Sequence, residues 1–392
     1  MTIVFQEACQ LIEYMTQVRH HLHQYPELSR NEHETSRFIR HELGAIDGIE
    51  ILDLPLETGI AAMIRGQGAG PEKVTALRAD IDALPIQEQT GLPYQSAHAG
   101  IMHACGHDGH TAILLGVAKI LSSKRSAFSG IVKLLFQPAE EQLWGARHMI
   151  EAGVLENPRV ETIVGVHGGI EAEIGKIGLY AGPFMASTDR FTVKIKGVGA
   201  HAAYPHRGKD AMLATGHCIV ALQGIVSREI DAVEKAVLSI CKISGGNAFN
   251  ILPAEVEFCG TVRNHNEELR RVIRDKMDRM IGGIATAHDC THQLDYVFGV
   301  PGVVNHPATV EKLAEAARSS IGSSNVTMMA KPLMGSEDFA LYLQSVPQGC
   351  MFRLGIAGCR PVQLHTATFD FPDEALPVGA AVMANFILET HK

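Results

Sequence analysis

A chain of 392 residues is too long for one ordinary hydrophobic core, and at roughly 100–200 residues per domain it predicts two or three domains. Its 46% hydrophobic and 20% charged residues suit a globular protein, while a net charge of -9 without any Lys/Arg run argues against nucleic-acid or anionic-membrane partners. No apolar stretch approaches the roughly 18 residues of a membrane span, the start Met1-Thr2-Ile3-Val4-Phe5-Gln6-Glu7 lacks a basic secretory region, and eight cysteines without a Cys-x-x-Cys pair predict reduced thiols in a cytoplasmic protein.

In chain order, Leu11, Met15, Val18 and Leu22 recur at helical spacing until Pro26. A second helix is predicted from Asn31, with Glu34 three residues on as a capping-box partner. Gly59–Arg65 and Val74–Asp82 read as strands, Gly109–Ser122 as a helix, Ile131–Phe136 as a strand, Leu143–Ala152 as a helix and Thr162–His167 as a strand. Apolar strands separated by helices predict an α/β fold with a largely parallel, helix-flanked sheet. From Phe191 the pattern changes. Strand Phe191–Gly197, helix Lys209–Val226, strands Ala236–Ile243 and Glu255–Arg263, helix Glu267–His288 and strand His292–Phe298 give β-α-β-β-α-β, the ferredoxin-like order. The predicted organisation is a catalytic domain in two segments, 1–185 and 300–392, carrying an inserted α+β domain over 186–299.

The densest chemical signal is Met102-His103-Ala104-Cys105-Gly106-His107-Asp108-Gly109-His110-Thr111, placed just before a helix. Three histidines, a cysteine and an aspartate within eight residues form a vocabulary of metal ligands, whereas a polar helix cap explains only Asp108 or Thr111. The second is Gln137-Pro138-Ala139-Glu140-Glu141 after a strand. Adjacent carboxylates suit a division of labour, one ligating metal and the other handling a proton. Asp80 and His167 also close predicted strands, and open α/β sheets gather their ligands at such ends. His365, His201 and His206 are ambiguous in isolation.

Arg19…His23-x-x-Pro26-Glu27-Leu28, Arg78-Ala79-Asp80-Ile81-Asp82-Ala83-Leu84-Pro85, the Cys105–His110 run, Phe136–Glu141, Gly199–His206, Gly335-Ser336-Glu337-Asp338-Phe339 and Leu364-His365-Thr366 occur in this order. Over nearly its whole length the chain resembles the aminoacylase, hippurate hydrolase and auxin-conjugate hydrolase branch of the dinuclear-metal peptidase and amidohydrolase superfamily. The resemblance implies Cys105, His107, Glu141, His167 and His365 as ligands of two divalent ions (Zn, Mn, Co or Ni), with Cys105 bridging. It implies Glu140 as general base and acid, Asp80 as a carboxylate orienting a ligand, and His201 as an oxyanion donor acting across a dimer. Asn250 and Arg263 match positions near the substrate. The implied activity is hydrolysis of N-acyl amino acids by a homodimer joined through the inserted domain. A non-catalytic metal binder or a dipeptidase of the same superfamily is the alternative, and Glu140 argues for catalysis. A redox-sensing thiol protein built on Cys105 lacks a nearby resolving cysteine. The chain departs from its apparent relatives where Gln142, Leu143 and Trp144, its only tryptophan, follow the Glu-Glu pair, and where Gly168 and Gly169 follow His167. These departures predict a reshaped acyl pocket, with Trp144 as a wall.

Overall fold

The computed structural model describes residues 2–358 and 363–392. The seven cysteines among them are free; Cys359 lies outside the described residues. No described helix is long and apolar enough to cross a membrane. Two compact units emerge, Met1–Gly182 with Val304–Pro332 and Asp338–Lys392, and Pro183–Val303 with Leu333–Glu337.

The first unit is α/β, built on an eight-stranded sheet in the order Ile49–Ile51, Ile60–Arg65, Ile131–Gln137, Val74–Asp80, Thr162–Glu173, Gly349–Ala357, Ile177–Leu179 and Val326–Met328. The pairs between Ile131–Gln137, Val74–Asp80, Thr162–Glu173 and Gly349–Ala357 are parallel. Antiparallel pairs flank them: Ile60–Arg65 runs against Ile131–Gln137, and Ile177–Leu179 against Gly349–Ala357. Central strands buried from end to end explain why they read as continuous apolar runs rather than alternating ones. Helices cover both faces: Val164 and Val166 join a core with Leu114, Val117 and Ala381, while a Cβ on the intervening Gly165 would lie 3.0 Å from the ring of Phe339.

The helix His107–Ser123 is buried along nearly its whole length. Close neighbours have no room for larger side chains: a Cβ on Gly116 would come within 2.5 Å of Met15 Sδ. Three sequence boundaries move for local reasons. The predicted second helix starts at His33, and its amide at Thr35 donates to Glu27 Oε2 (2.8 Å) rather than closing a capping box with Asn31. The helix expected from Leu143 starts at Gly145, because Leu143 adopts a φ of 54°, outside the helical region. Thr162–Glu173 continues as a strand well past His167.

In the second unit the strands Asp189–Lys196, Ala236–Ser244, Glu255–Asn264 and Thr291–Phe298 form an antiparallel sheet, with Ala236–Ser244 on one edge and Asp189–Lys196 inside. Helices Ala211–Gly224 and Glu267–Ala287 pack on one face, where Cys218 and Met277 join Val193, Ile195 and Phe258 of the sheet in one core. Chain order and strand order together are those of the ferredoxin-like arrangement. This unit extends beyond 186–299 and takes in Leu333–Glu337, because Leu333 N donates to Phe184 O (2.8 Å) and Ala186 N donates to Gly335 O (2.9 Å).

Candidate active site

Strand register sets the site. Asp80 pairs with Gln137, and Arg78 with Gly165, so Asp80 and Gln137, at the carboxyl ends of their strands, reach one level with His167, midway along the parallel strand Thr162–Glu173. The Cys105 loop lies over these ends. Gly106, at a φ of 88°, turns the chain into the helix at His107, in a conformation open to glycine at little cost.

The hydrogen bonds at His107 orient its ring. Nδ1 lies 2.9 Å from Asp82 O and 3.2 Å from Asp82 Oδ1; both are acceptors, so Nδ1–H donates and Nε2 is left buried without a hydrogen-bond partner. Burial opposes a charge on this ring, yet Asp80, 3.7 Å from Nε2, raises its pKa well above the usual histidine range. A divalent cation held there would take the place of that proton. His167 donates Nδ1–H to Gly168 O (2.8 Å) and turns Nε2 toward Cys105 Sγ at 3.5 Å. Burial and the Arg353 charge hold His167 neutral, which suits a ligand. Burial and the Glu141 charge push the Cys105 thiol up to about 12. In this protein the thiolate thus needs a cation beside it.

Glu140 and Glu141 stand on a tight turn after the strand Ile131–Gln137. Ala139 has a φ of 49°, and its carbonyl accepts from Trp144 N and Gly145 N. Glu140 is buried. Glu141 Oε1 lies 3.2 Å from Nε2 of His365, a residue at a φ of 61° whose amide donates to Ala104 O (2.8 Å). The structure therefore brings Cys105, His107, Glu140, Glu141, His167 and His365 together. Cys105, His107 and His167 offer donor atoms within 4.8 Å of one another, and so do Cys105, Glu141 and His365. Two sets sharing a soft sulfur, one containing a buried unpartnered imidazole nitrogen, fit a pair of divalent ions.

Asp80, the carboxylate expected to orient a ligand, is hydrogen-bonded to His110. His110 Nε2 accepts from Gly168 N (2.8 Å), so its Nδ1–H donates to Asp80 Oδ1 (2.5 Å), and Arg78 Nη1 donates to Asp80 Oδ2 (2.6 Å). The carboxylate on His107 Nδ1 is that of Asp82, to which Ser29 Oγ also donates (2.7 Å). The sequence reading places Asp82 and His110 within its motifs but assigns neither a role. The Asp-x-Asp alternation was the available signal for Asp82, since residues two apart share one side of an extended chain. The same holds for Asp338: it accepts from Arg78, Gln137 and Ala146 N, fastening the strand ends that carry the site.

Trp144, half-buried, stacks on His148 (centroids 4.3 Å apart), and Arg30 lies 4.3 Å from its ring centroid. The spaces at Gly168 and Gly169 are taken by Phe371, Ile356 and Arg353, so these glycines admit protein side chains instead of opening a pocket. In the second unit, Ile251 pairs with His201, and Ala202 N donates to Asn250 O (2.9 Å), which makes His201 and Asn250 neighbours. Ala203 N donates to His201 Nδ1 (3.1 Å), leaving Nε2–H to donate elsewhere. Arg263 Nη1 donates to Ser336 Oγ (2.5 Å).

The profile described as Peptidase family M20/M25/M40 matches residues 76–389. N-acetylcysteine deacetylase of Bacillus subtilis (strain 168) is 42% identical over 379 residues, covering 96% of this chain and 97% of that protein. N-acyl-L-amino acid amidohydrolase of Geobacillus stearothermophilus is 44% identical over 289 residues, covering 74% and 77%. A solved Bacillus subtilis protein described as a dinuclear metal binding peptidase from the M20 family matches with a TM-score of 0.85 at 38% identity, covering 97% of this chain and 98% of that one.

Proposed function

Because the chain belongs to peptidase family M20/M25/M40, we propose that it is a metal-dependent amidohydrolase, splitting N-acyl amino acids into a carboxylic acid and a free amino acid. The observation that carries this reading is the convergence of Cys105, His107, Glu141, His167 and His365 beside the buried carboxylate of Glu140. Two relatives named for the deacylation of acylated amino acids support the substrate class.

Cys105, His107, Glu141, His167 and His365 would hold two divalent ions, and the thiolate, imidazole and carboxylate mixture suits Zn²⁺, Mn²⁺, Co²⁺ or Ni²⁺. When bound, such ions lower the pKa of water and polarise a carbonyl. Glu140 then takes a proton and returns it to the leaving amine, an effect of about 10²–10⁴-fold. Asp82 holds the His107 ring in the tautomer whose Nε2 faces the donors. His201 offers Nε2–H to the developing oxyanion, worth about 10²–10³-fold. Asn250, Arg263 and Trp144 are the proposed substrate contacts. The protein is proposed to work as a cytoplasmic homodimer joined through the second unit, which also acts as a lid.

The test is amino-acid release from N-acetyl, N-benzoyl and indole-acyl amino acids, with dipeptides as controls, before and after chelation. Activity should disappear with chelator and return with added metal. Glu140→Gln should lose turnover while keeping its metal content, whereas Glu141→Gln should lose metal. Full activity in metal-free protein would sink the assignment, and exchanged phenotypes would reverse the two carboxylates.

A further inference from the structure

The proposed reaction leaves the motif segment after Pro26 without work, yet residues 27–32 touch two parts of the site. Leu28 bridges to Ala83, Ala83 N donates to Glu27 O (2.9 Å), and Ser29 Oγ donates to Asp82 Oδ2. Glu32 is the unexplained member. Its side chain is wholly buried, a costly place for a carboxylate, and Oε2 has no hydrogen-bond partner. Oε1 accepts from Ala139 N at 2.8 Å.

Ala139 is the residue on which the Glu140–Glu141 turn depends. It occupies the left-handed region that non-glycine residues disfavour. Its carbonyl is tied by Trp144 N and Gly145 N, and its amide is tied by Glu32. A Cβ on Gly145 would lie 1.5 Å from Pro138 O, so the turn must stay tight on its far side. On its near side the fastening is the Glu32 carboxylate.

We propose that Glu32 is a positioning residue for the two site carboxylates: by accepting the Ala139 amide it holds the left-handed turn from which Glu140 and Glu141 project. The bond needs an acceptor of the right length, not a charge. Burial and the Asp82 charge push Glu32 up to about 7, and either protonation state leaves an acceptor oxygen toward Ala139.

This inference rests on the hydrolase reading, and two substitutions test it. Glu32→Gln keeps the acceptor and removes the charge, while Glu32→Asp keeps the charge and shortens the reach. Each variant is checked for folding by thermal melting, titrated with Co²⁺ by absorption spectroscopy, and assayed for kcat and KM. Glu32→Asp should lose about 10²-fold in kcat, the cost of misplacing a reacting group by about 1 Å, with KM little changed and Co²⁺ binding weakened. Glu32→Gln should stay close to the parent protein in all three. Parent-like behaviour of Glu32→Asp overturns the proposal. Impairment of Glu32→Gln also overturns it, because the charge beside Asp82 is then what matters. If the parent protein releases no amino acid from any substrate, the hydrolase reading fails, and the Co²⁺ titrations still decide the role of Glu32.

Discussion

Behind the metal loop, His23 is a buried histidine held between two carboxylates. Its Nδ1 lies 2.8 Å from Asp108 Oδ2, its Nε2 lies 3.3 Å from Glu88 Oε1, and Arg19 Nη1 stands 3.6 Å from the same Asp108 oxygen. Burial alone would lower its pKa, but hydrogen bonds to Asp108 and Glu88 outweigh burial and raise it from 6.5 to about 9. A folded pKa above the unfolded one contributes stability that is complete below about 6.5 and is lost as pH rises through about 9. Removing one partner of a buried pair costs roughly 3–5 kcal/mol. His23→Gln should therefore lower the urea midpoint strongly below pH 6.5 and much less above pH 9. An equal loss at both ends of that range would show that His23 is neutral in the folded protein. The Trp144 ring stacks on His148 and lies against Arg30, contacts that would orient it for the substrate contact proposed for it.

The element that most constrains the site is the helix His107–Ser123, which starts one residue after a glycine at a φ of 88°. An L side chain there carries the left-handed penalty of roughly 1–2 kcal/mol. A Cβ on Gly106 would also lie 2.7 Å from the Phe371 ring. Gly106→Ala should destabilise the protein and weaken metal binding, because Cys105 and His107 flank the strained residue. Gly91→Ala is the control: its φ is 69°, but nothing lies within 4 Å of the added carbon. Denaturant unfolding and metal titration of both variants separate strain from crowding. A Gly106→Ala loss no larger than that of Gly91→Ala would mean that Phe371 yields and the loop is pliant. The turn after the strand Ile131–Gln137 follows the same logic, because its left-handed Ala139 and Leu143 keep the chain from entering a helix before Gly145.

On the scale of the molecule, the second unit presents an apolar surface. Its helix Ala211–Gly224 leaves Leu213 50% and Val220 74% exposed, and Ala236–Ser244 is an edge strand with Ile243 51% exposed. Exposed apolar surface beside an unpaired strand edge suits a self-complementary interface, which supports the proposed dimer. Mixing inactive Glu140→Gln chains with inactive His201→Ala chains should restore part of the activity if His201 serves a partner's site. Verified heterodimers without recovery would confine His201 to its own chain or remove it from catalysis.

What the residues determined by themselves was composition and pattern. Buried strands write themselves as apolar runs, and three histidines with a cysteine in eight residues have few uses besides metal. Hence the α/β class, the β-α-β-β-α-β order and the metal-ligand character of the Cys105–His110 run were legible from pattern, whereas the fuller set of Cys105, His107, Glu140, Glu141, His167 and His365 followed only from the resemblance to the amidohydrolase branch. What the tertiary structure decided was pairing. Two aspartates two residues apart look equivalent in sequence, yet register and the Cys105 loop give His107 to Asp82 and His110 to Asp80. Glu32 lies 107 residues from the amide it holds, and Asp338 lies 201 from Gln137. Contacts of that separation leave no periodic trace, because a hydrogen bond fixes where two groups meet in space and says nothing about their spacing along the chain.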